Sequence, residues 1–80
     1  MGDPIELVGF VARNLVEDDA AVVVAEGDGK RHRVVSLRVA PDDMGRVIGR
    51  DGRIANAVRT LLRSGKFDDQ WGLEIHDPDE

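Results

Sequence analysis

Gly45-Arg46-Val47-Ile48-Gly49-Arg50-Asp51-Gly52-Arg53 is the most informative stretch of the chain. Two glycines three residues apart join two helical segments with almost no linker. Glycine opens backbone angles closed to other residues and removes the Cβ that would keep a ligand at a distance. Upstream, Pro41 stops a strand, and Asp42 is placed to cap a short helix over 43–48. Downstream, a second helix runs from 53 to about 64, with Gly65 just past its end. That second helix begins with free amide N–H groups and the positive end of its dipole, a seat for an anion such as phosphate. Arg50 and Arg53 add charge at the same place.

A bare G-x-x-G is also an ordinary tight turn between helices. The helix that follows weighs against so plain a role. Arg53, Asn56, Arg59, Thr60 and Arg63 occupy one arc of its wheel, and Ile54, Ala57, Val58, Leu61 and Leu62 the opposite one. A solvated helix face usually mixes acids and bases, yet no acid occurs from Arg53 to Lys66. Between Met44 and Lys66 six basic residues face the single acid Asp51, a net +5, which leaves −10 on the rest of the chain. The overall charge of −5 argues against nucleic acid when taken whole. Its distribution argues the other way, because the positive charge is concentrated in one stretch suited to phosphates.

Outward from this stretch the chain reads as alternating short elements. Asp3-Pro4-Ile5-Glu6 is a helix start, with Asp3 as cap, Pro4 in the first turn and Glu6 at capping-box spacing. Val8, Val11, Ala12, Leu15 and Val16 then repeat at helical spacing and predict an amphipathic helix over 4–17, with Phe10 off its apolar stripe. Glu17-Asp18-Asp19 is a polar turn. Residues 20–26 are Val-rich and read as a strand, Gly27-Asp28-Gly29-Lys30 as a hairpin turn, and 32–40 as a second strand. In that strand Val35, Leu37 and Val39 face one way, and Ser36 and Arg38 the other. Phe67 to Gln70 reads as a loop, and Trp71, Leu73 and Ile75 alternate as a last strand. Trp71 belongs to the core by this alternation rather than to a base-stacking platform. The tail from Asp77 to Glu80 is a solvated end.

The predicted order is α-β-β-α-α-β, an α+β chain with one three-stranded sheet and three helices on one of its faces. Eighty residues with 24 Ile, Leu, Val, Phe and Trp make one small domain, 1–80, with an ordered core over about 4–77. Cysteine is absent, so disulfides, thiolate metal sites and a Cys nucleophile are excluded. His32 and His76 form no metal-binding spacing and read as strand-end residues. Asp42 and Asp43 read as helix-cap residues rather than a catalytic pair. Gly45, Gly49 and Gly52 do not have the spacing of a dinucleotide fingerprint. No cofactor, metal, small-molecule substrate or enzyme activity is expected, and no apolar run suits a membrane span. The absence of a signal peptide leads to the expectation of a cytoplasmic protein.

Val47-Ile48-Gly49-Arg50-Asp51-Gly52 resembles the V-I-G-x-x-G signature of KH domains, and the element order is similar to their bacterial, type II form. The longer run from Pro41 to Arg53 resembles the small stand-alone bacterial KH proteins of the KhpA type. The resemblance covers about 4–77. It implies single-stranded RNA as partner, about four nucleotides held against the loop, and a role as RNA chaperone or post-transcriptional regulator. Carried onto this chain, it implies a clamp of Gly49, Arg50, Asp51 and Gly52. Ile48, Ala55 and Val58 would support an apolar groove behind it, and Arg53 would add a phosphate contact. The arc of Asn56, Arg59 and Arg63 extends the expected site. Two departures from the family pattern, Asp51 inside the clamp and Ala55 in place of a bulky aliphatic, lead to the expectation of weak binding with little specificity.

The resemblance also implies self-association, or pairing with a larger KH-domain protein, so that the chain would be an adaptor with weak RNA affinity of its own. Phe10 stands off its stripe, and Ala55 and Leu62 widen the apolar arc of the last helix to roughly 160°. Phe10 and Leu62 are therefore the expected partner-facing residues.

Overall fold

Asp3 starts the first helix as the sequence predicts, its carboxylate accepting the Ile5 N–H at 2.8 Å while Pro4 fills the first turn. The computed structural model describes residues 3–27, 29, 32–64, 67 and 71–76. The order along it is α1 (Pro4–Leu15), β1 (Val23–Glu26), β2 (Arg33–Arg38), α2 (Met44–Ile48), α3 (Arg53–Leu62) and β3 (Trp71–His76). Short 3-10 turns precede β1, α2 and α3.

The sheet order is β1-β2-β3. β1 and β2 pair antiparallel, with Val23 opposite Arg38 and Glu26 opposite Val35. β2 and β3 pair parallel, with Arg33 opposite Trp71 and Arg38 opposite His76. A parallel pair requires a crossover connection, and α2, the glycine loop and α3 provide it. Val35, Leu37 and Val39 lie fully buried on the helix side, as their alternation predicts. They meet Val8 and Ala12 from α1, Val47 from α2, Val58 and Leu62 from α3, and Trp71 and Leu73 from β3. Trp71 is thus a core residue, and the Arg33 guanidinium lies over its ring at 4.5 Å. Arg33 also forks onto Glu26 through two 3.0 Å bonds, which hold the Glu26 carboxyl below its usual range.

Several boundaries differ from the sequence reading. α1 ends at Leu15 rather than at 17, and Val16 is already extended. The amides of Glu17 and Asp18 do not continue the helix because both donate to the Asp43 carboxylate, at 3.1 Å each. β1 begins at Val23 rather than at 20, since Asp19–Ala21 closes a 3-10 turn through a Val22 N–H to Asp19 bond. Alanine at 20 and 21 has little to favour a strand there. β2 spans fewer residues than 32–40, and α3 closes at Leu62, where the Arg63 N–H already splits between Arg59 and Thr60 carbonyls. The readings of Gly65 as a helix end, of the turn at Asp28 and Lys30, and of the terminal tail fall outside the described residues.

The cap reading of the acid pair is overturned. Asp42 is exposed in the turn before α2, and Asp43 makes no side-chain cap to that helix. Asp43 is 2% exposed and its carboxylate is committed across the chain to the end of α1. Those two backbone N–H groups hold its carboxyl below the usual 3.8, against the effect of burial, and Arg46 adds to them. A lowered native value means a contribution fully present above the ordinary carboxylate range and lost as pH falls through the native one. At neutral pH the tie is intact.

Candidate nucleic-acid interface

The glycine loop folds as the spacing predicts, yet its two glycines do different work. Gly49 ends α2, its N–H donating to the Gly45 carbonyl at 2.9 Å. Its φ of 80° and ψ of 170° lie in a region essentially reserved for glycine. A Cβ there would fall 2.8 Å from Ile54 Cγ1 and 2.9 Å from the Ile54 N. Gly49 therefore lets the end of α2 rest on the first turn of α3. Gly52 is left-handed at φ 76°, but a Cβ on it would meet only Asn56 Nδ2, at 3.7 Å. The space outside Gly52 is open.

Between them Asp51 is also left-handed, at φ 57°, the one non-glycine residue of positive φ among those described. Aspartate tolerates this conformation better than most side chains. Arg50, Asp51 and Arg53 are exposed around the loop, and Arg50 and Arg53 form no ion pair among the described residues. α3 starts from Gly52 with no side-chain cap and no acid in its first turn. The Arg53 N–H is held by the Arg50 carbonyl, and no acidic side chain sits at this positive end of the helix.

From the loop, Arg53, Asn56, Arg59 and Arg63 run along one side of α3 for about 15 Å at 1.5 Å per residue. Asn56 Oδ1 accepts from Arg59 Nη1 at 3.2 Å, which orients that guanidinium along the helix. Arg59 is half-buried, and Arg63 is exposed. Both overhang an open groove of about 630 Å³ whose other wall is Trp71–Glu74 of β3, an edge strand. His32 lies at this groove, above Gly72, where a Cβ would come 3.0 Å from its Nε2.

These groove residues from β2's approach and from β3 are not among the sequence-predicted site. A glycine inside a strand signals a close approach of another group, and Gly72 was the available sign. Three expected site residues lie behind the surface rather than on it. Ile48 is half-buried, and Ala55 and Val58 are buried, at 3% and 8% exposure. Their place behind the loop is the supporting one that the sequence reading gave them.

Two further corrections concern charge and partner surface. Arg46, counted in the basic stretch, turns to Glu17 at 3.3 Å and Asp43 at 3.7 Å. Lys66 lies outside the described residues. Leu62, expected to face a partner, is fully buried in the core. α3 is rolled so that Ala55, Val58 and Leu62 face inward and Leu61 stands 49% exposed. A helix at the edge of a sheet buries the arc nearest the strands, and here that arc lies closer to the arginines than the wheel alone implies. Phe10 is 67% exposed, as its place off the stripe predicts.

Residues 5–70 match the family described as KhpA/KhpB, KH domain. A relative named RNA-binding protein KhpA from Treponema pallidum is 43% identical over 74 residues, covering 90% of this chain and 92% of its own length. One of the same name from Borreliella burgdorferi is 43% identical over 78 residues, covering 95% of each chain. Another, from Caldanaerobacter subterraneus, is 49% identical over 59 residues, 74% of this chain and 79% of its own. No solved structure matches the chain. The α+β fold, with three helices against a three-stranded mixed sheet, agrees with this match, and the family is not one of enzymes. A glycine loop at the open start of α3, within this fold and under this match, makes the chain a member of the KhpA/KhpB KH-domain family.

Proposed function

We propose that this protein binds single-stranded RNA, without catalysis, at the Gly49–Gly52 loop and along the α3–β3 groove. The observation that carries this reading is the start of α3 without a side-chain cap, with open space outside Gly52 and Arg50 and Arg53 beside it, neither in an ion pair among the described residues. A phosphate seated there meets the positive end of the helix and two cations together. The relatives' name supports RNA as the polyanion. The backbone past the clamp would follow Arg59 and Arg63, with bases over the groove wall of β3. Asp51 opposes phosphate at the tip, so affinity is modest and sequence preference weak. The role that fits is that of a cytoplasmic RNA chaperone or post-transcriptional regulator.

Arg50→Asp tests the clamp. Circular dichroism stays that of the parent, and affinity for a short fluorescent RNA falls by at least about tenfold, some 1.4 kcal/mol. An unchanged affinity removes the loop from the site.

Phe10 favours a second reading, in which the chain also pairs with a second copy or with a larger KH-domain protein. A Phe at 67% exposure on the outer face of α1 has no role in the chain's own core. Sedimentation at micromolar concentration then shows a dimer, and Phe10→Asp a folded monomer. A parent protein that is monomeric up to about a millimolar sinks the self-association reading.

A further inference from the structure

α2 is five residues long and contributes one buried side chain, Val47, with Met44 and Ile48 half-buried. So short a helix has little apolar surface to fix its place. Its position is set at the two ends. At the far end Gly49 rests on Ile54. At the near end Asp43 is the one charged side chain buried among the described residues. Its Oδ1 accepts the Glu17 N–H and its Oδ2 the Asp18 N–H, both at 3.1 Å. Arg46, one turn into α2, reaches Glu17 Oε1 at 3.3 Å and Asp43 Oδ1 at 3.7 Å. Both carboxylate oxygens are therefore used, and no buried polar side-chain atom among the described residues is left without a partner.

We propose that Asp43 is a positioning residue for the RNA site: it ties the start of α2 to the end of α1, and so holds the Gly49–Gly52 loop in the geometry that receives phosphate. The inference rests on the proposed RNA clamp. Asp43 itself touches no ligand, since it is buried and faces α1. The path from it to the loop is α2 alone, from Met44 to Ile48, a stiff element about 7 Å long. A tie at its base therefore sets where its tip ends. Arg46 serves the same tie, which explains why one arginine of the basic stretch is turned toward acids.

Asp43→Asn tests this because two effects on RNA affinity have opposite signs. Removing a negative charge brings an acidic chain nearer to neutrality, so charge alone makes RNA binding tighter. Loss of positioning makes it weaker, because the amide NH₂ opposes one of the two backbone donors. The expected result, at a temperature where both proteins are folded by circular dichroism, is RNA binding weaker by about tenfold with an unchanged salt slope. Amide exchange of Gly49 to Arg53 rises with that of Glu17 and Asp18, while Val35 and Leu37 in β2 keep their protection. Affinity equal to or tighter than the parent's, or loop exchange unchanged, overturns the proposal.

If Asp43→Asn does not fold, Arg46→Gln decides. It leaves both backbone bonds and should weaken binding several-fold at constant salt slope, with the same rise in loop exchange. A fall in slope instead makes Arg46 a phosphate contact, and unchanged affinity makes it idle; either overturns the positioning role. Failure of the clamp itself is read separately, from Arg50→Asp binding RNA as the parent does while its loop exchange is unchanged.

Discussion

α1 and α3 pack against the same face of one sheet, yet they begin in opposite ways. α1 starts closed: Asp3 accepts the Ile5 N–H, Pro4 removes a donor and Glu6 sets an acid in the first turn. α3 starts open, from a left-handed Gly52 with no side-chain cap and an arginine in its first turn. Their outer faces differ in the same sense. Glu6, Phe10, Arg13 and Asn14 put both signs of charge and apolar surface on the outside of α1, whereas the outside of α3 carries arginine, Asn56, Thr60 and Leu61 but no acid. The inner stripes answer the requirement to fold. The contrast outside them is one of electrostatics: α1 sets an acid at its positive end, and α3 leaves that end without one.

The largest effect on this contrast comes from the glycines that create the open start. Gly49→Ala drives a methyl into Ile54 at a glycine-only conformation and costs about 3 kcal/mol or more, read by denaturant unfolding. Gly52→Ala meets open space, so only its left-handed backbone is strained, at about 1–2 kcal/mol. Equal losses from the two would mean that their roles are not distinct. A smaller and sharper change is Arg53→Glu, which gives α3 the acid that α1 has. Stability rises by about 0.3–1 kcal/mol as the helix end is neutralised, while RNA affinity falls by about tenfold. If both move down together, the arginine is there for the fold and not for an anion.

Much of this was readable in order and type. The helix start at Asp3, the alternation of Val35, Leu37 and Val39, the core place of Trp71 and the glycine loop all follow from local rules. What escaped was set by groups distant in sequence. α1 stops two residues early because Asp43, 26 residues from Glu17, takes its next amides. Arg46 leaves the basic face for the same acid. Leu62 and Leu61 exchanged roles because a wheel gives an arc but not the roll of the helix on its sheet. The groove wall at Trp71–Glu74 came from strand pairing between residues 38 apart, as Arg33 and Trp71 are, which no local pattern specifies.

That parallel pairing has a kinetic consequence. β2 cannot meet β3 until the whole segment carrying α2, the loop and α3 has been closed between them. The entropy of that closure must be met before the contacts form, so this pairing is the slow, non-local part of folding. β1 and β2, antiparallel and neighbours in sequence, can form first. Val58 and Leu62 then gain Trp71 and Leu73 as neighbours only when β3 docks, and the roll of α3 is fixed at that moment. The groove between α3 and β3 is therefore completed after the glycine loop, whose contact of Gly49 with Ile54 is local.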